Sequence, residues 1–177
     1  MIVLEFSMTD SDVGELSEFI ARPFPEELCD DMPCWAPYAH LTFVIDGEFI
    51  CSNQREPQRL PVLDFAICLQ TILHTISIGE TKRLDLLLHG PLCDLSLVDA
   101  HTVLIKAARY RESGPLSVTC ALPDIMNASD CYTRKLVDRI RNNFPEYFHK
   151  MDQNGETNGL MPNSKKMFQQ LLVSELP

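Results

Sequence analysis

The densest grouping of residues able to do chemistry lies between positions 85 and 101, where Asp85, His89, Asp94, Asp99 and His101 fall in one stretch. Carboxylates and imidazoles together can hold a divalent metal or divide the roles of general acid and general base. Their spacing matches no metal or hydrolase motif, and acids of this kind are common at strand edges and in turns. Strand alternation sets Asp85 and His89 on one face only if 84–89 stays extended. The cysteines offer a second chemistry. A nucleophilic thiol needs a neighbouring histidine and an electropositive, accessible setting, and the pairs on paper are Cys68 with His74 and Cys51 with His40. Cys51, Cys68, Cys93, Cys120 and Cys131 all lie in or beside apolar segments, so packed thiols are expected. Cys29 and Cys34, spaced C-x4-C before His40, lack a fourth zinc ligand of suitable spacing. The seven glycines form neither G-x-x-x-x-G-K nor G-x-G-x-x-G, and the sequence has no G-x-S-x-G or H-E-x-x-H. The expectation is a chain with no catalytic residues, no bound metal and no cofactor, with the 85–101 cluster as the alternative, a small enzyme.

Charge is more informative than motif. The formal net charge is −10 over 177 residues. Residues 1–48 hold eleven acids against one base, Arg22, while the remainder holds fourteen acids and fourteen bases. The first quarter of the chain therefore carries the whole imbalance. Such a field speeds encounter with a basic protein partner and repels nucleic acid. Phosphate binding needs a basic stripe, and the one candidate, Arg134, Lys135, Arg139 and Arg141, reads as the exposed face of a helix.

Length and composition bound the fold. At 45% apolar and 23% charged residues, the chain reads as one globular domain. A domain of this size buries roughly 70% of the surface its unfolded chain exposes, without a metal or disulfide staple. The opening MIVLEFSMTDSD has no basic region of a signal peptide, and the cysteine number is odd, which together point to a reducing, cytoplasmic setting. The longest apolar stretch, about 62–78, is broken by Asp64, Gln70 and His74, so no membrane span is expected.

The elements that must position these residues follow from periodicity. Ile2 to Phe6 reads as a strand, and a helix capped by Asp10 or Ser11 should run from about Asp12 to Ala21. Pro23 and Pro25 end it, and 23–37 reads as an ordered irregular loop around the only tryptophan, Trp35. Asp46-Gly47 between His40–Ile45 and Glu48–Cys51 is the residue pair of a type I′ hairpin turn. A polar stretch at 52–59 leads to a helix from Pro61 to about Ser77, apolar over a wide arc. Strands are expected at 84–88, 95–98, 103–108 and 116–122, with 103–110 also compatible with helix. A helix from about 128 to 143 has Tyr132, Leu136, Val137, Ile140 and Phe144 on one side. A polar linker at 153–163 and an amphipathic helix at 164–174 close the chain. The pattern predicts a single α+β domain with a mostly antiparallel sheet packed by helices.

The stretch from Leu41 to Ile78, a hairpin with a central Asp-Gly followed by a helix opening on Pro61 and Asp64, resembles bacterial toxin-immunity proteins. These are small cytoplasmic partners that neutralise contact-dependent or polymorphic toxins. The resemblance implies function by binding alone, with an acidic surface that blocks the site of a basic toxin domain such as a nuclease. On that reading the contact residues are Glu15, Glu18, Glu26, Glu27, Asp30 and Asp31. Trp35, Phe24 or Tyr38 would be the apolar anchors.

Overall fold

The Asp46-Gly47 pair turns the chain as its chemistry predicts. Asp46 has φ 49° and Gly47 φ 86°, and two successive positive φ values are what a type I′ hairpin requires. In the computed structural model, which describes residues 1–21, 37–51, 56–86, 90–111 and 114–145, this turn joins β2 (Tyr38–Ile45) to β3 (Glu48–Phe49). Before them come β1 (Ile2–Ser7) and α1 (Asp10–Ala21). After them come β4 (Gln58–Pro61), α2 (Val62–Thr75), β5 (Thr81–Leu86), β6 (Gly90–Leu97), β7 (Thr102–Arg111), β8 (Gly114–Ala121) and α3 (Leu122–Asn143). The expected linker at 153–163 and closing helix at 164–174 lie outside the described residues.

The strands form two antiparallel sheets where one was expected. In the first, β2 is central. β1 pairs along one side of it, while β4 and β3 share the other side, β4 opposite Tyr38–Leu41 and β3 opposite Val44–Ile45. Alternation along β2 buries Ala39, Leu41, Phe43 and Ile45 and turns Tyr38, His40, Thr42 and Val44 to the other face. The second sheet is a meander in the order β5-β6-β7-β8. Its register shifts at Leu84/Asp85, opposite Pro91–Cys93. A bulge there explains how the consecutive residues Leu92 and Cys93 are both buried, which strict alternation forbids.

Three local readings needed correction. The 52–59 stretch contains the start of a strand, β4, which its polar residues conceal because only four residues pair. Pro61 is the last residue of that strand and the N-cap of α2, with extended ψ of 92°, rather than a residue inside the first turn. Pro123 does not precede α3 at a distance but sits in its first turn, where a missing N–H costs nothing. The helix therefore starts at Leu122, about two turns before the expected position.

α2 is the centre of the core. Nine of its residues are buried, including Val62, Phe65, Ala66 and Leu69, and it packs on β2 and β4, on β5 and on α3. Phe65 meets Phe43 of the first sheet edge-to-face at 5.9 Å and Tyr132 of α3 at 5.8 Å, and Tyr132 meets Phe6 of β1 at 5.7 Å. The buried Tyr132 hydroxyl donates to the carbonyl of Val62 at 3.2 Å. One continuous buried cluster thus runs from β1 through α2 and α3 to Val103 and Ile105 of β7.

Candidate functional site

The acidic segment begins with a reciprocal cap. The Asp12 amide donates to the Thr9 hydroxyl at 3.2 Å, and the Thr9 amide donates to an Asp12 carboxylate oxygen at 2.8 Å. Thr-x-x-Asp here is a capping box in which aspartate stands where glutamate or glutamine is usual, so Thr9, and not Asp10 or Ser11, is the N-cap. The Thr9 hydroxyl in turn donates to the same carboxylate oxygen at 2.7 Å. With α1 begun in this way, Asp12 points toward the sheet and Asp10, Glu15 and Glu18 are exposed.

Asp12 is only 1% exposed, and a buried carboxylate needs a cation. Arg59 of β4 supplies it. Its Nε donates to Asp12 Oδ1 at 2.8 Å and its Nη2 to Glu15 Oε2 at 2.6 Å. Arg59 stands opposite His40 in the β2–β4 ladder, its guanidinium 5.2 Å from the centre of the Tyr38 ring. His40 Nδ1 lies 4.0 Å from Asp12 Oδ2. Burial pushes the Asp12 carboxyl up, but the hydrogen bonds from Thr9 and Arg59 outweigh it, and the net direction is down. Arg59 is raised, first by its hydrogen bond to Asp12. These contacts tie α1 to β4 at Arg59, which shares the face of the first sheet that carries Tyr38, His40 and Thr42. Glu5 is on that same face, because it pairs with Thr42.

Of the expected contact residues, Glu15 is 57% exposed and tied to Arg59, and Glu18 is exposed one turn further along α1. Glu26, Glu27, Asp30, Asp31 and Trp35 lie outside the described residues, as do Phe24, Cys29 and Cys34. Sequence reasoning missed Arg59, the residue that fixes the helix. The legible signal was Thr9-x-x-Asp12, an acid whose position in a capping box turns it inward.

The 85–101 grouping is spread along the second sheet. Asp94 faces Arg83 across β5–β6, with Arg83 Nε 2.8 Å from Asp94 Oδ1, and Lys106 stands opposite it on β7. Asp99 accepts from the His101 amide at 2.8 Å in the β6–β7 turn, which lowers its carboxyl. Asp85 pairs near Pro91, at the other end of β6. At about 3.3 Å per residue, that separates it from Asp99 by more than 20 Å. His89 lies outside the described residues. Among the described residues no three of His, Cys, Asp and Glu are grouped to hold a metal.

The thiols divide by position. All five described cysteines are thiols outside any disulfide; Cys51 and Cys93 are buried, Cys68 and Cys120 are half-buried, and Cys131 is exposed, contrary to the expected packing. Cys131 lies beside the stripe of Tyr132, Leu136 and Ile140 on α3 and so turns outward. Burial, then the Asp64 and Asp85 carboxylates, push Cys68 up to about 11, so this thiol stays protonated at neutral pH.

Among the described residues no helix is long and apolar enough to cross a membrane. No protein-family model matches the chain, and neither a curated protein nor a solved structure is significantly similar to it. What stands is an α+β fold of two antiparallel sheets and three helices among the described residues.

Proposed function

We propose that this is a binding protein whose acidic N-terminal side receives a basic protein partner. The partner class that the Leu41–Ile78 pattern suggests is a toxin domain, which the protein would neutralise by covering its active site. The observation that carries the reading is the confinement of the net charge to the first 48 residues, together with the fixing of α1 by Asp12 and Arg59. A helix held in one orientation presents Asp10, Glu15 and Glu18 without ordering them anew on binding, which lowers the entropic cost of association. Acids in excess of the nearby base steer a cationic surface toward the site and repel nucleic acid.

The test is affinity capture from host lysate at low and high salt, with the intact chain and with Asp10→Asn/Glu15→Gln/Glu18→Gln. A captured protein is then purified and its own activity assayed with and without the chain. The expected result is a basic protein, captured at low salt, weakened by salt and by the triple substitution, and inhibited by the intact chain. Capture indifferent to salt and to the substitutions, or a partner whose activity the chain leaves unchanged, sinks the proposal.

A further inference from the structure

A groove of about 540 Å³ lies on a different part of the molecule from the acidic helix, between the free edge of β1 and the flank of α3. Among the described residues β1 pairs only with β2. The Asp46 amide donates to the Met1 carbonyl, which marks Met1–Asp46 as a hydrogen-bonded pair of the ladder. In an antiparallel ladder such pairs alternate with the other kind. The backbone N–H and C=O groups of Ile2, Leu4 and Phe6 therefore point away from β2, toward the open edge, and none has a hydrogen-bond partner among the described residues. An open strand edge of this kind is a template for another strand.

The wall opposite is regular. Asp124, Asn127, Ala128, Cys131 and Lys135 line the groove from α3, at the spacing of one helix face. Ala128 and Cys131 are short, which leaves room between helix and strand edge. Phe6 touches Tyr132 while Cys120 and Ala121 lie by Met1, so α3 runs alongside β1 in the same direction. The charges are arranged lengthwise. At the β1 start, Asp46 holds the terminal amine of Met1, leaving Asp124 with no ion-pair partner among the described residues. At the far end Lys135 lines the groove from α3.

We infer that this groove binds an extended peptide segment of a partner protein by strand addition to β1, with small apolar side chains against α3 and a basic side chain at Asp124. Backbone hydrogen bonds to Ile2 and Leu4 supply affinity, and the groove walls supply the side-chain preference. The inference does not depend on the acidic helix being a docking surface.

The probe is a capped hexapeptide with lysine and two valines at alternate positions on one face and threonines between them, compared with the same peptide N-methylated at alternate amides and with a version in which glutamate replaces the lysine. Cys131 is a built-in reporter, since its alkylation can be followed by mass spectrometry of the digested protein. Millimolar valine–lysine peptide is expected to slow Cys131 alkylation and to protect the Ile2 and Leu4 amides from hydrogen exchange. N-methylation of the edge-facing amides should weaken binding about thirtyfold, the equivalent of two backbone hydrogen bonds. Asp124→Asn should weaken it severalfold. Ile2→Pro should weaken it too, because it removes an outward N–H at the first strand position and leaves the β1–β2 pairs intact. Equal binding by the N-methylated peptide, or no protection of Cys131 by the valine–lysine peptide, overturns the inference.

Discussion

The two sheets are both four-stranded and antiparallel, yet they handle charge in opposite ways. On the second sheet, residues 81–121 hold five bases and four acids, and Arg83 pairs with Asp94 across neighbouring strands. Arg83, Asp94 and Lys106 stand in one row on the solvent face of β5, β6 and β7. On the first sheet, the balancing base is single and committed inward. Arg59 is spent on Asp12 and Glu15, and the other acids of α1 face outward. A balanced row on one sheet gives a surface with little field. A single, partly exposed arginine against the four acids of α1 leaves that side with net negative charge and hence a field. The same residue types thus do structural work on one sheet and create a long-range field on the other.

The difference can be tested by substitution, and the largest effect belongs to what joins the halves. Phe65→Ala removes the ring between Phe43 and Tyr132 and is expected to cost about 4 kcal/mol in urea unfolding. A loss below about 1 kcal/mol would show that the core does not depend on α2 in this way.

Next in size is the contrast between ion pairs. Asp12→Ala deletes a buried carboxylate, a helix cap and the partner of Arg59, and should cost about 2–3 kcal/mol. Asp94→Ala breaks a pair whose Arg83 is 60% exposed, and should cost less than about 1 kcal/mol. Equal losses in the same urea titrations would erase the distinction drawn between the sheets.

The smallest effect is a pH dependence. The folded Asp12 carboxyl lies below its ordinary value of 3.8, so it contributes stability that is complete above that value. This contribution is lost as pH falls through 3.8 and then through the lower folded value. The stability gap between the intact chain and Asp12→Ala should therefore be full at neutral pH and narrow in acid. A gap that stays constant into strong acid would mean that Asp12 is not held as a paired carboxylate.

Much of this architecture was legible from local rules. Asp46-Gly47 demands its turn because both residues must take positive φ, the alternation of β2 sets its buried face, and the stripe on α3 follows from helical spacing. The acidic imbalance is likewise a property of sequence alone, independent of any contact. The tertiary structure decided what local rules cannot reach. Two sheets form where one was expected because strand partners are chosen by long-range packing around α2, and a four-residue strand such as β4 is stabilised only by the β2 edge beside it. Arg59 was an ordinary base in a polar stretch until the fold brought it over Asp12, forty-seven positions earlier. The Asp85–His101 grouping looked compact in sequence, and strand geometry stretched it along a sheet. Local chemistry fixes dihedral angles over a few residues; which distant side chains meet depends on how the chain buries its apolar surface as a whole.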